Sequence, residues 1–117
     1  SAKDCFFDSN NYLFFVVEPG KLGLAVGKNG SNVKRLSAAI KKNIKIVGLH
    51  ADLALFVQGL IKPFGAKSIE YDEAEKIVTI TPEPSSRAHI IGRAGSNLRN
   101  YESIIKRYFD IKELRVR

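Results

Sequence analysis

The chain opens with two dense apolar runs, CFFD at residues 5–8 and YLFFVV at residues 12–17, separated by the turn residues SNN. Short runs rich in Phe and Val, bounded by turn formers, predict a pair of strands. Pro19 and Gly20 end the second run, and KLGLAV is expected to make a short helical turn. The period then changes. Val33, Leu36 and Ile40 recur at helical spacing, which predicts an amphipathic helix over residues 31–42 with these three side chains inward. IKIVGL again reads as a strand. ADLALFVQGLIK reads as a mostly apolar helix that Asp52 can start and Pro63 stops.

The pattern then runs through the same elements again. AKSIEY and EKIVTI form a hairpin around Asp72 and Glu73, with Asp72, Glu73 and Glu75 as a solvated turn, closed by TPEP. A short helix follows at 86–91, then a helix at 96–108 with Leu98, Tyr101, Ile105 and Tyr108 inward, then the strand IKELRVR. Two hexapeptides mark the repeat, GKNGSN at 27–32 and GRAGSN at 92–97. At a constant offset of 65, Glu18-Pro19 falls on Glu83-Pro84, Ile40-Lys41 on Ile105-Lys106 and Ile46 on Ile111. Lys28 meets Arg93, Lys34 meets Arg99 and Lys42 meets Arg107. A register held over some thirty residues, with matched chemistry where letters differ, is an internal duplication. Two copies are too few for a solenoid, so the chain is a tandem of two modules. The second reads helix, strand, strand, helix, helix, strand; the first has the same order without the leading helix. Only GLH joins the first module's last strand to the next helix, so the apolar helix is expected to pack on both modules and fix their spacing.

Composition changes this picture little, and charge changes it a good deal. The 117 residues are 44% hydrophobic and 26% charged, as in a soluble globular domain, with no run long enough to span a membrane and no signal-peptide layout at the start. The single cysteine, Cys5, excludes an internal disulfide and suits a reducing cytosol; its phenylalanine neighbours predict burial. The net charge is +7, and it is unevenly placed. Residues 20–50 hold seven Lys/Arg (Lys21, Lys28, Lys34, Arg35, Lys41, Lys42, Lys45) and no acid, residues 84–117 carry +5, and residues 63–83 carry −3. Basic charge gathered at a repeated motif points to a polyanion.

The hexapeptide has the right chemistry for one. Two glycines around two residues make a tight turn with no Cβ at either end, open to a sugar-phosphate chain. The helix that follows offers free N–H groups and the positive end of its dipole, Lys28 or Arg93 adds a full charge, and Ser31 and Ser96 stand where they could cap the helices. Other phosphate motifs fail: GLAVGKN has three residues between its glycines where a P-loop has four, and no hydroxyl follows its lysine. His50 and His89 are not repeat partners, and no ligand-type residues have metal spacing. His89, just before the second loop, could touch a base, but an ordinary surface histidine is the more expected reading. An enzyme, a metal and a cofactor are not expected.

VGKNGSNVKRL and IGRAGSNLRNY resemble the GXXG loops of KH domains, which bind single-stranded RNA. The element order resembles the prokaryotic, type II arrangement, and EPG…LAVGKNGSN in the first module resembles the archaeal NusA-like transcription factors. The resemblance implies an α+β fold of two tandem type II KH domains, at 1–49 (without its leading helix) and 50–117, each a three-stranded sheet with helices on one face. It implies RNA gripped at Gly27, Lys28, Asn29, Gly30, Ser31, Asn32, Lys34 and Arg35, and at Gly92, Arg93, Ala94, Gly95, Ser96, Asn97 and Arg99. The loops would clamp about four nucleotides by their backbone while bases meet an apolar floor. Candidate floor residues are Val26, Val33 and Ile46, with Ile91, Leu98 and Ile111 as partners; all could equally be core. The implied setting is cytoplasmic control of transcription termination or elongation, with RNA polymerase or transcript-associated proteins as candidate partners. A ribosome-associated or RNA-maturation factor is the alternative. No segment resembles the polymerase-binding or S1 domains of the bacterial relatives.

Overall fold

The computed structural model describes residues 3–27, 30–40 and 43–117. The chain divides into two compact units, Ser1–Ala51 and Asp52–Arg117, each built on its own three-stranded sheet.

In the first unit β1 (Asp4–Phe7) pairs antiparallel with β2 (Leu13–Val17), and β2 pairs parallel with β3 (Ile44–Gly48). Asp8 turns the hairpin: its Oδ1 accepts from the Asn10 and Tyr12 amides at 3.0 and 2.8 Å, and Asn11 takes a left-handed φ of 65°. Between β2 and β3 come a 3-10 turn at Pro19–Lys21, α1 (Leu22–Val26) and α2 (Ser31–Ile40). Both faces of this sheet are apolar. Phe14, Val16 and Val47 share one face and are buried, with Phe6 stacked on Phe14 at 5.4 Å. Leu13, Phe15, Ile44 and Ile46 occupy the other, half-buried.

The second unit adds α3 (Leu53–Ile61) in front. The Asp52 side chain caps it by accepting from the Leu55 amide at 3.2 Å, and Phe56, Val57, Leu60 and Ile61 are buried. β4 (Ala66–Asp72), β5 (Ile77–Pro82) and β6 (Glu113–Val116) form the sheet, antiparallel then parallel. An aspartate turns this hairpin too, Asp72 Oδ1 accepting from Ala74 and Glu75 at 3.0 and 3.1 Å. Here the two sheet faces differ. Val78, Ile80 and Leu114 are buried on the helix side, while Glu70, Thr79, Glu113 and Arg115 share the other, tied by Arg115–Glu113 at 2.6 Å. Between β5 and β6 lie α4 (Arg87–Ile91) and α5 (Ser96–Lys106). This is an α+β, KH-like architecture.

The constant offset of 65 holds from β2 through α5 and fails on either side of that stretch. Leu13 lies opposite Ile44, whereas its counterpart Val78 lies opposite Leu114, five residues beyond where the repeat puts it. The expected match of Ile46 with Ile111 is therefore wrong: Ile46 is in a strand, while Ile111 is buried in the segment before β6. The extra residues have a packing role. α5 ends at Lys106 rather than 108, and the turn after it lets two consecutive rings, Tyr108 and Phe109, reach Phe56 at 5.6 and 5.4 Å. Consecutive residues of a continued helix would point some 100° apart.

Two further expectations fail for one reason. Leu36, expected inward, is 43% exposed, whereas its counterpart Tyr101 is 9% exposed. Cys5, expected to be buried, is exposed, and Phe7 beside it is 57% exposed. In the second unit α3 lies against β4 and α5. The described part of the first unit has no helix in that place, so its side chains there meet water.

Candidate nucleic-acid interface

Each hexapeptide joins a five-residue helix to a longer one, and the described atoms of the two loops have the same geometry. Gly27 has φ 80° and ψ 171°, and Gly92 has φ 74° and ψ 175°. Gly30 and Gly95 follow at φ 73° and 76°. In both loops the first glycine's amide donates to the carbonyl four residues back at 2.9 Å, and the second glycine's amide donates to the first glycine's carbonyl at 3.2 Å. Positive φ with ψ near 180° is glycine's territory almost alone, which accounts for the first glycine of each pair without any ligand.

The glycines divide their work. A Cβ on Gly92 would sit 2.7 Å from the Asn97 backbone nitrogen, and one on Gly27 would sit 2.8 Å from Ser31 Oγ and 3.0 Å from the Asn32 nitrogen. The first glycine is thus filled in by the start of the following helix. A Cβ on Gly30 would meet nothing within 4 Å, and one on Gly95 only the Arg99 guanidinium at 3.7 Å. The second glycine presents bare backbone to the outside.

The other site residues sort themselves around that turn. Asn97 Nδ2 donates to the His89 carbonyl at 2.7 Å, stitching α4 to the first turn of α5. Arg99 donates to the Ala94 carbonyl, which holds its charge over the loop, and Ala94 itself takes a left-handed φ of 53°. Arg35 donates to Asn32 Oδ1 at 2.5 Å. Arg93, Ala94, Lys34 and Arg35 are exposed. Lys28 and Asn29 lie outside the described residues, as do residues 41 and 42 of the helix expected over 31–42.

The serines do not act as expected. Gly95, which has no side chain, is the N-cap of α5, and Ser96 is already helical at φ −61°, ψ −43°. Ser31 likewise is the first residue of α2, its hydroxyl turned against Gly27. α5 therefore begins with no side-chain cap and no acid in its first turn, the arrangement that leaves amides and dipole to an anion. Among the described residues the ion pairs employ Lys3, Lys76, Lys106, Arg115 and Arg117, and none employs Lys34, Arg35, Arg93 or Arg99.

Of the expected floor residues, Val26, Val33, Ile46, Ile91 and Leu98 are half-buried, and Ile111 is buried. Lys45 does not belong to the basic band. It lies beside Phe14 in the sheet, where burial pushes its ammonium down to about 8, the nearby Asp8 carboxylate opposing the shift. Sequence reasoning missed Asp8 as a turn former and passed over Phe64, whose ring stacks on His89 at 4.6 Å. An aromatic residue just after Pro63 was the available signal for the second. Among the described residues no His, Cys, Asp and Glu cluster could hold a metal ion, and no helix is long and apolar enough to cross a membrane.

Comparison with known proteins places this geometry. The probable transcription termination protein NusA of Methanococcus vannielii is 28% identical over 106 residues, covering 89% of this chain and 61% of that protein. The protein of the same name from Methanocaldococcus jannaschii is 28% identical over 115 residues, covering 97% and 62%. The chain thus spans about three fifths of the length of these two relatives. That from Halobacterium salinarum is 25% identical and is covered to 84%. The crystal structure of APE1850 superposes with a TM-score of 0.75 at 28% identity, covering the whole of this chain and 87% of that one. The KH domain family model matches residues 2–63, a span that holds the first GXXG loop and α3 and stops short of the second loop. The chain belongs to the KH domain family, as a NusA-like protein of the archaeal kind.

Proposed function

We propose that the chain binds single-stranded RNA through both GXXG loops, that its second unit is a second type II KH module, and that it serves in the control of transcription termination or elongation. The observation that carries the reading is the duplicated loop geometry. Two units with different hairpins, different last loops and different coverage of their helices keep the same four positive-φ glycines and the same hydrogen bonds at one place. The first glycine of each pair is required by its backbone angles and by the atoms beside it, the second by its left-handed φ alone. The open space beside the second glycine supports a partner whose backbone lies against it.

Each residue then has a task. Gly27-Lys28-Asn29-Gly30 and Gly92-Arg93-Ala94-Gly95 receive phosphates, with the opening amides of α2 and α5 as donors. Lys34, Arg35 and Arg99 surround the loops with positive charge. Asn97 holds the loop in shape, and Asn32 stands at the same position in the first copy. Val26, Val33, Ile91 and Leu98 offer apolar surface to bases. The chain acts by binding, with no chemistry of its own. The names of the archaeal relatives support the transcriptional setting.

The test is charge reversal in the loops. Lys28→Asp with Asn29→Asp, and Arg93→Asp with Ala94→Asp, should each weaken binding of a single-stranded RNA octamer at least tenfold and leave the thermal melt nearly unchanged. Unchanged affinity in both double variants refutes the loop reading. Crosslinking in cells and sequencing of the bound RNA tests the setting: nascent transcripts support it, and rRNA precursors would assign the chain to RNA maturation.

A further inference from the structure

The His89 imidazole and the Phe64 ring lie parallel, with centroids 4.6 Å apart and planes inclined by 11°. His89 is the exposed member and Phe64 is half-buried. The pair is not a core contact, because on α4 it is the next residue, Ile90, that is buried.

The backbone that carries each ring is held from behind. The Phe64 amide donates to the Ile61 carbonyl at 3.0 Å. The Gly65 amide donates to Ser86 Oγ at 3.0 Å, and the Gly65 carbonyl accepts from the Glu83 amide at 2.9 Å, fixing this segment to the start of α4. His89 is fixed by its carbonyl, which accepts from Asn97. That bond reaches α5 across the GXXG loop, so the ring pair and the loop share one support. His89 lies three residues before Gly92, roughly one helical turn or 5 Å along the axis. In the first copy the corresponding residue is Leu24.

We propose that the His89–Phe64 pair is a nucleobase-stacking platform of the second unit: a base whose phosphate is held at Gly92–Gly95 lies on the outer face of the imidazole, with Phe64 as backing. This rests on the RNA reading of the loop and adds to it. A base gains stacking area from a ring that is exposed and already oriented, and the cost of ordering that ring has been met in part by its stack on Phe64. The two copies would then differ in kind, the first holding chiefly backbone and the second backbone and one base.

Two probes separate the platform from a structural role: a uridine octamer, whose bases stack little on one another when free, and an octamer of abasic riboses with the same phosphates. His89→Ala should weaken uridine octamer binding by about tenfold, toward the low end of what one stacked base contributes. His89→Phe should restore it to within about twofold. Neither should change affinity for the abasic octamer. In the wild-type chain the imidazole ring protons should move upfield on titration with the uridine octamer and stay in place with the abasic one, a measurement that needs no variant to fold. Equal losses on both probes, or no loss on the uridine octamer, overturn the platform. Arg93→Asp with Ala94→Asp is run beside them. If that variant loses binding while His89→Ala does not, only the platform fails; if it binds like wild type, the loop reading fails first.

Discussion

The unequal glycines of the second loop give a quantitative test of the site. Gly92→Ala meets two penalties. Its φ of 74° and ψ of 175° fall in a region that costs an ordinary residue roughly 1–3 kcal/mol. Its new methyl would also lie 2.7 Å from the Asn97 backbone nitrogen, an atom of α5 that cannot rotate aside, and overpacking of this sort costs about 1–3 kcal/mol. The sum is about 2–6 kcal/mol, and local melting of the loop caps it, so about 3–4 kcal/mol is expected. Gly95→Ala meets only the left-handed penalty at φ 76° and ψ 15°, about 1–2 kcal/mol, because its methyl would touch nothing closer than the mobile Arg99 guanidinium at 3.7 Å. Urea unfolding followed by circular dichroism, with a slope of about 1–2 kcal/mol per molar for a unit this small, should separate the two midpoints by about 1–2 M. Binding should rank them differently. Gly95→Ala, folded at the assay temperature, should still lose RNA affinity, because its methyl occupies the side on which the phosphate chain is expected. Coincident midpoints would show that the first glycine is not required by the fold. Full affinity in a folded Gly95→Ala would show that nothing passes over the second.

Other expectations follow from particular contacts. With about four to six phosphates neutralised across both loops, log K against log salt should fall with a slope of roughly −3 to −4, and a slope near zero would make the basic bands features of solubility only. Asn97→Ala removes the bond to the His89 carbonyl and should cost about 1–2 kcal/mol of stability in a melt; an unchanged melt would mean the stitch between α4 and α5 is idle. Lys45 binds its proton less tightly folded, at about 8, than its ordinary 10.5. Its penalty is therefore complete below pH 8 and is relieved as pH rises toward 10.5. Lys45→Met should stabilise the chain at pH 7 by about 1–2 kcal/mol, discounted for the water the ammonium keeps, and should flatten the rise in stability between pH 8 and 10. An equal pH slope in both proteins would refute the burial argument.

The sequence was most legible where the backbone itself makes demands. The four glycines, Asp52 at the start of α3 and the apolar alternation of β5 each answer a local requirement, and each stands where the pattern predicts. It was least legible where one element depends on another distant in the chain. Nothing local to Leu36 or Cys5 tells that the helix covering the equivalent surface in the second unit has no described counterpart in the first. Nothing local to Ile111 tells that two rings after α5 are needed against Phe56, and that need inserted five residues which a gap-free superposition cannot register. Lys45 was counted as surface charge because a lysine's burial is decided by its strand neighbours Phe14 and Val47.

That contrast bears on what the duplication has preserved. Hairpin length, the final loop and helix coverage all differ between the copies: the longer last loop packs its rings on Phe56, while the uncovered face of the first unit is left to water. The stretch from β2 to the end of α2 keeps a constant offset from that between β5 and the end of α5, and its tightest sequence correspondence is at the hexapeptide. A loop with few core contacts is ordinarily where sequence drifts most. All four glycines answer to their positive φ, but only Gly27 and Gly92 are also hemmed in by neighbouring atoms. The open side of Gly30 and Gly95 is where the proposed RNA backbone would approach the main chain. The +6 left on residues 20–50 once Lys45 is set aside, and the +5 on residues 84–117, suit a partner of negative charge.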